Sequence, residues 1–168
     1  RLDVPWEYNM CPSSKYSIKS PYSMTPQYIT IHNTANDASA RNEISYMNSN
    51  NNKSHSTLQS MIKELSKVFH LTEMAGMLVM AVVVLVTEII GIEICYSLSG
   101  GSRYYAAEDN AAWVTAKLMK QFGIPIGNVK QHFNWSGKNC PHRMRGEGRW
   151  NSFIDRVNAE RAKRVDEI

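Results

Sequence analysis

The stretch "QYITIHNT" at residues 27–34 decides the fold, because its apolar and polar side chains alternate. Alternation with a period of two is typical of a β-strand that buries one face against a core. One face carries Ile29 and Ile31, and the other carries Tyr28, Thr30 and His32. The pattern therefore predicts a half-buried strand that ends near His32.

A second alternating stretch, "IGIEICYS" at residues 90–97, predicts a second strand. One face would carry Ile90, Ile92 and Ile94, and the other Gly91, Glu93 and Cys95. Further along the chain, "GNVKQHF" at residues 127–133 suggests a short strand that leads into His132. Glu93 is thus expected on the non-isoleucine face of its strand.

Three segments have the spacing of amphipathic helices: residues 36–47, 106–122 and 149–165. The second would bury Ala107, Ala111, Val114, Leu118 and Phe122 before stopping at Gly123 and Pro125. The third would bury Phe153, Ile154, Val157 and Val165. Residues 1–26, rich in Pro, Ser and Tyr, are expected to form an irregular arm. Strands mixed with helices predict a single α/β domain with a mixed central sheet flanked by helices.

Composition narrows the class of protein. The chain has 168 residues, 43% hydrophobic content and a mean hydropathy of −0.38, which fits one globular domain with a real core. Its three cysteines are an odd number, so a full disulfide framework is not expected. A net charge of +4 suits a polyanionic partner such as nucleic acid or bacterial cell wall. The opening residues lack the apolar core of a signal peptide.

The segment "HFNWSGKNCPHR" at residues 132–143 concentrates metal-binding residue types. His132 and Cys140 from this segment, with His32, would make a three-ligand site with one open position, as in catalytic zinc sites. Such a site retains positive charge, so it can acidify a bound water and polarise a carbonyl. The alternative is that each histidine is simply a polar residue, and periodicity alone does not exclude it.

The motifs "YITIHNT", "IGIEICYS" and "HFNWSGKNCPHRM", followed by "EGRW", resemble the zinc-dependent N-acetylmuramoyl-L-alanine amidases of phage endolysins and bacterial autolysins. Peptidoglycan-recognition proteins share that fold. The resemblance implies a Zn²⁺ site in a surface groove, held by His32, His132 and Cys140. It also implies hydrolysis of the amide bond between N-acetylmuramic acid and L-alanine in bacterial peptidoglycan.

The resemblance also implies roles for other residues near the metal. Glu93 would be the general base or acid, and Lys138 would help to hold the oxyanion. The alternatives are that Glu93 is a salt-bridge partner and that Lys138 is a solvated turn residue. Trp135 and Arg143 are candidate substrate-binding residues, although Trp135 could instead cover the core and Arg143 could brace the turn. His142 is not expected to be a ligand.

Residues 54–89 depart from the family pattern, because "MAGMLVMAVVVLVT" at 74–87 is an almost unbroken apolar run. The family has a Phe-His strand and a polar, Gly-rich loop here. With one choice of codons for residues 53–63, inserting one nucleotide after the codon for Lys53 converts "KSHSTLQSMIK" into KVSFHFAVDDK, which resembles that strand. We therefore hypothesise a frame-shifted segment, arising from compensating indels or a sequence error. Taken as written, the apolar run predicts a buried strand or helix, and valines in place of the loop predict misfolding or lost activity.

Three other functions are compatible with single features of the sequence. A non-catalytic peptidoglycan-binding protein on the same fold is disfavoured by the presence of Cys140. A membrane-inserting protein is disfavoured by the shortness of the apolar run, and nucleic-acid binding rests only on mild basicity. We expect a monomer that acts on peptidoglycan and not on nucleic acid or membrane. It would be made in the host cytoplasm from a phage or prophage gene, and would then act on the cell wall.

Overall fold

The computed structural model describes residues 6–10, 26–39, 42, 68–72, 81–86 and 89–163. These contain a six-stranded sheet in the order β1-β3-β4-β5-β2-β6. The strands are β1 Trp6–Met10, β2 Tyr28–Asn33, β3 Val68–Thr72, β4 Ala81–Val86, β5 Ile89–Ile94 and β6 Val129–Gln131.

The sheet is mixed. β1 pairs with β3, β3 with β4, and β4 with β5 in antiparallel fashion, whereas β2 runs parallel to both β5 and β6. Because β2, β5 and β6 are parallel, their carboxyl ends lie at the same edge of the sheet. The loops that leave those three ends are therefore brought together.

Four helices follow the first five strands: α1 Gly101–Phe122, α2 His132–Ser136, α3 His142–Gly146 and α4 Trp150–Arg161. A 3₁₀ turn at Ile126–Asn128 precedes β6. Helix α1 packs on β5 and β4, and α4 packs on α1. The predicted α/β domain with a mixed sheet and flanking helices is confirmed.

The core lies between the isoleucine face of β2 and β5 and the buried side of α1 and α4. Its largest fully buried side chains are Tyr104, Trp113, Phe153, Ile29, Ile31 and Ile90. Full burial of one large apolar side chain contributes about 1.5–3 kcal/mol. This face therefore supplies much of the free energy that holds the site-bearing strands in place.

Helix α1 differs from its prediction in where it begins and in the burial of its last turn. It begins at Gly101, five residues before the predicted residue 106, and ends as predicted before Gly123, whose φ of 67° is left-handed. The prediction that Phe122 is buried was wrong, because its side chain is 39% exposed. Residues 120–123 are all exposed, so the last turn of α1 extends beyond the core.

Strands β2 and β5 also differ from the expected half-buried strands. Thr30 and His32 are buried although they lie on the polar face of β2. Cys95, predicted to share the face of Glu93, instead belongs to the same buried cluster as the isoleucines. The reason is that β5 ends at Ile94, so strand alternation no longer applies to the next residue.

The helix α4 covers residues 150–161 of the predicted 149–165, with Phe153 and Val157 buried and Ile154 half-buried. Val165 and most of the predicted helix at 36–47 lie outside the described residues. The arm expected to be irregular contains β1, which pairs with β3.

The unusual segment 54–89 contributes β3, β4 and the first residue of β5. Of the two alternatives for its apolar run, residues 81–86 form a strand, which pairs with β5. Within the described ranges, no helix is both long and apolar enough to cross a membrane.

Candidate metal centre

Strands β2 and β5 place His32 and Glu93 side by side on the face opposite the isoleucines. The two residues are register partners, and their side chains are only 1% and 2% exposed. The Nδ1 atom of His32 lies 3.9 Å from Oε1 of Glu93. A buried carboxylate thus stands next to a buried imidazole, where low solvent access strengthens their electrostatic interaction.

His132 reaches the same place from β6. The strand ends at Gln131, and His132 is the first residue of α2. A capping box fixes this junction, in which the Gln131 backbone N–H donates to Oδ1 of Asn134 at 2.8 Å. The two imidazole rings come to lie 4.7 Å apart between centroids, at an interplanar angle of 54°.

Cys140 returns to this point because the chain reverses after α2. The helix ends at Gly137, whose φ of 74° is left-handed, and the Phe133 N–H donates to the Cys140 carbonyl at 2.9 Å. The peptide bond from Cys140 to Pro141 is cis. The Cys140 Sγ lies 3.7 Å from Nδ1 of His32.

These three residues form a group that could hold a metal ion. One ligand atom from each of His32, His132 and Cys140 lies within 4.8 Å of the others. Nε2 of His32 and Nδ1 of His132 are buried without a hydrogen-bond partner among the described residues. Buried polar atoms are normally satisfied, so a bound cation fits this arrangement. Two nitrogens and one sulfur suit a borderline-soft transition metal.

The pKa values of the three groups favour neutral forms before a metal binds. Burial, followed by the charges of His132 and Lys138, lowers the pKa of His32 to about 3. Burial and Lys138 also lower the pKa of His132. Both imidazoles are therefore neutral at pH 7, which is the form that binds metals.

The pKa of the Cys140 thiol shifts upward, and this shift also favours the neutral form. Burial and the Glu93 charge raise the pKa of Cys140 to about 11, against the smaller effect of a hydrogen bond from the Asn33 backbone N–H. The thiol stays protonated at neutral pH in the metal-free state. A cation would therefore displace one proton from Cys140 on binding.

Trp135 lies on α2, the helix that begins with His132. Its indole N–H donates to Oγ1 of Thr30 at 2.9 Å, and its ring meets Tyr28 edge to face with 5.2 Å between centroids. Its side chain is 49% exposed, so the expectation that it covers the core is wrong.

Lys138 is exposed, and its charge lowers the pKa of both histidines.

The remaining two sequence candidates lie on α3. His142 is half-buried and stands outside the group of ligand atoms. Arg143 directs its guanidinium to the backbone carbonyls of Ser97 and Leu98, at 2.9 and 2.5 Å. Its guanidinium is thus bonded to the protein itself.

Sequence reasoning missed Asn33. Its backbone N–H bonds to the thiol of Cys140, and its Oδ1 accepts the backbone N–H of Arg143 at 2.8 Å. The signal available was its position directly after His32. The fold and the site together define a class: an α/β domain that gathers two imidazoles, a thiol and a carboxylate at one sheet edge.

Comparison with known proteins identifies the family. The family described as N-acetylmuramoyl-L-alanine amidase matches residues 22–143. The chain is 41% identical over 169 residues to N-acetylmuramoyl-L-alanine amidase XlyB of Bacillus subtilis (strain 168), covering 95% of this chain and 50% of XlyB. It is 42% identical over 167 residues to the amidase CwlA of the same strain, covering 92% of this chain and 57% of CwlA.

Two solved structures are also similar to this chain. PlyL is 42% identical with a TM-score of 0.67, covering 87% of this chain and 92% of PlyL. The PlyG catalytic domain is 42% identical with a TM-score of 0.68, covering 93% and 94%. The chain belongs to the N-acetylmuramoyl-L-alanine amidase family, which confirms the resemblance. It spans 50% to 57% of the length of XlyB and CwlA.

Proposed function

We propose that this chain is a zinc-dependent N-acetylmuramoyl-L-alanine amidase that hydrolyses bacterial peptidoglycan. The observation that carries the proposal is the convergence of His32, His132 and Cys140 beside the buried Glu93. The names of its relatives support the bond that is cut: the amide between the lactyl group of N-acetylmuramic acid and L-alanine.

Zinc is the metal that best fits the three donors. Two neutral imidazoles and a thiolate are typical of catalytic zinc sites, which leave one position open. When bound, zinc would supply Lewis acidity and lower the pKa of water at that position. His32, His132 and Cys140 would hold it.

Glu93 is the residue we assign to proton transfer. It is buried next to His32, so it can accept a proton from the attacking water and then deliver a proton to the leaving amine. Positioned acid–base groups of this kind contribute roughly 10²- to 10⁴-fold to rate. Lys138, exposed at the same loop, would stabilise the charge that develops on the carbonyl oxygen.

Trp135 is the residue we assign to substrate contact. Its half-exposed ring is fixed in orientation by Thr30 and Tyr28, so it offers a rigid apolar surface next to the metal centre. Aromatic faces of this kind can stack on sugar rings. Arg143 is the weaker substrate candidate, because its donors are directed to protein oxygens.

The setting we propose follows from the endolysin and autolysin relatives. The protein would be made in the host cytoplasm from a phage or prophage gene and would act as a monomer on the cell wall. Neither nucleic acid nor membrane is a proposed partner.

Product analysis of a defined muramyl peptide tests the activity. The wild-type chain should release a peptide with a new amino group on L-alanine and a free lactyl carboxylate on the sugar. Glu93→Gln should lower the rate by about 10²- to 10⁴-fold while retaining zinc, because only proton transfer is removed. Asp155→Asn, an exposed change on α4, should leave the rate unchanged.

Three results would contradict the proposal. Binding to cell walls without any product would favour a non-catalytic peptidoglycan-binding protein. Products cut at a glycosidic or a different peptide bond would exclude the amidase assignment. A chain that binds zinc but releases no amine would match a variant inactivated by its unusual segment.

We also propose that residues 54–89 are a frame-shifted reading of an ordinary amidase segment. The support is the set of codon choices that recovers a family-like strand from "KSHSTLQSMIK" at residues 53–63. The intact mass of the protein tests this. A mass that matches the sequence as written removes the sequence-error version, whereas a different mass with family-like peptides from this segment supports it.

A further inference from the structure

The loops that follow β2 and β5 are joined to each other. We call residues 34–37 the first loop and residues 95–100 the second loop. The Leu98 N–H donates to the Asn36 carbonyl at 3.2 Å, and the Ser99 N–H donates to Oδ1 of Asp37 at 2.8 Å. These bonds link the chain segments that leave the strands of His32 and Glu93.

Arg143 connects α3 to both of these regions. Its backbone N–H donates to Oδ1 of Asn33 at 2.8 Å, at the end of β2. Its Nε donates to the Ser97 carbonyl at 2.9 Å and its Nη2 to the Leu98 carbonyl at 2.5 Å. One residue, shortly after Cys140, thus holds the end of one strand and the loop that follows the other.

The guanidinium sits in a close-fitting position. A Cβ atom added at Gly100, whose φ is +69°, would lie 3.0 Å from Cζ of Arg143. The third guanidinium nitrogen, Nη1, donates to Glu147 at 3.2 Å, and the side chain is 27% exposed. Each guanidinium nitrogen is therefore directed at an oxygen of the protein, which leaves little of the group for a substrate.

We propose that Arg143 is a positioning residue that fixes Glu93 relative to the three metal ligands. The inference rests on the proposed amidase function. The fork of Arg bonds to two adjacent carbonyls at once, which a lysine ammonium cannot reproduce in that geometry. Loss of the fork releases the second loop and lets the end of β5 shift, and a shift of about 1 Å can lower a rate roughly 100-fold.

Steady-state kinetics on a defined muramyl peptide test the role of Arg143. Arg143→Ala should lower kcat roughly 100-fold with KM within about twofold and with zinc content unchanged. Arg143→Lys should stay low in kcat, because it restores the charge but not the fork. Arg161→Ala, which removes an arginine on α4 that bonds to Asn158, should match the wild type.

The alternative is that Arg143 binds an acidic group of the substrate. In that case KM would rise in Arg143→Ala with kcat unchanged, and Arg143→Lys would restore it; this result would overturn the proposal. An Arg143→Ala protein with wild-type kcat would overturn it as well. If Arg143→Ala does not fold, the kcat of Arg143→Lys decides between the two.

Amide hydrogen exchange gives a readout that does not depend on activity. The amides of Leu98 and Ser99 should exchange faster in Arg143→Ala and Arg143→Lys than in the wild type, and Arg161→Ala should not differ. Unchanged exchange would show that Arg143 does not hold the second loop. If the wild-type chain releases no amine, the proposed function fails, and exchange still decides whether the loop is held.

Discussion

The two faces of β2 and β5 carry opposite chemistry within the same few residues. The isoleucine face belongs to a core of buried apolar side chains to which α1 and α4 also contribute. The other face buries His32 and Glu93 against each other and next to Cys140. Burying such polar groups costs free energy unless they are paired, whereas burying the isoleucines gains it.

The difference between the two faces shows that one face stabilises the domain and the other carries the groups for chemistry. Orphaned imidazole nitrogens and a buried thiol are unfavourable in the metal-free state, and the apolar face compensates for them. Changes on the site face should therefore affect metal binding and activity more than stability. Changes on the core face should do the reverse.

The largest expected effect comes from removing one metal ligand. Cys140→Ser should lose bound zinc and reduce amide hydrolysis by at least about 1,000-fold, since several kcal/mol of transition-state stabilisation depend on the metal. Metal analysis of the purified protein, together with the rate of amine release, provides the check. A variant that keeps both zinc and activity would exclude Cys140 as a ligand.

The next effect belongs to the core face. Phe153→Ala should lower the free energy of unfolding by about 3–5 kcal/mol, because Phe153 is fully buried against α1. Phe133→Ala on α2, where the ring is 39% exposed, should cost less than about 1 kcal/mol. Urea unfolding of both variants measures this. Equal losses would mean that burial in the core does not decide how much a side chain stabilises this domain.

A smaller effect is expected at the polar contact between α1 and α4. Glu108 is fully buried and paired with Arg149 and Arg156, which are partly exposed. Glu108→Gln should lower the free energy of unfolding by about 1–3 kcal/mol without changing zinc affinity. The neighbouring Asp109→Asn should change it by less than about 0.5 kcal/mol, because Asp109 is 52% exposed.

The smallest expected effect concerns the half-exposed ring of Trp135. Trp135→Ala should raise KM about tenfold with little change in kcat, because one exposed stacking contact contributes about 1.4 kcal/mol or less. The KM of Trp135→Phe should fall between those of the wild type and Trp135→Ala, since phenylalanine keeps a ring but loses the bond to Thr30. A lower kcat at constant KM would instead place Trp135 in the chemical step.

The sequence predicted the strands of the site because their alternation is a local signal. It also predicted that His32, His132 and Cys140 meet, through the motif that carries the last two, and their role as zinc ligands stays a prediction. The contacts of Arg143 could not be predicted, because their acceptors are backbone carbonyls that any residue type provides. The exposure of Phe122 was mispredicted, because helical spacing does not tell how far the core extends along a helix.

The central claim is that a metal held by His32, His132 and Cys140 supports amide hydrolysis. The most direct measurement is amine release from a defined muramyl peptide by protein stripped with a chelator and then titrated with zinc. We predict that the stripped protein is inactive and that activity returns in proportion to zinc up to one ion per chain. A stripped, zinc-free protein that hydrolyses the peptide at the original rate would contradict the account.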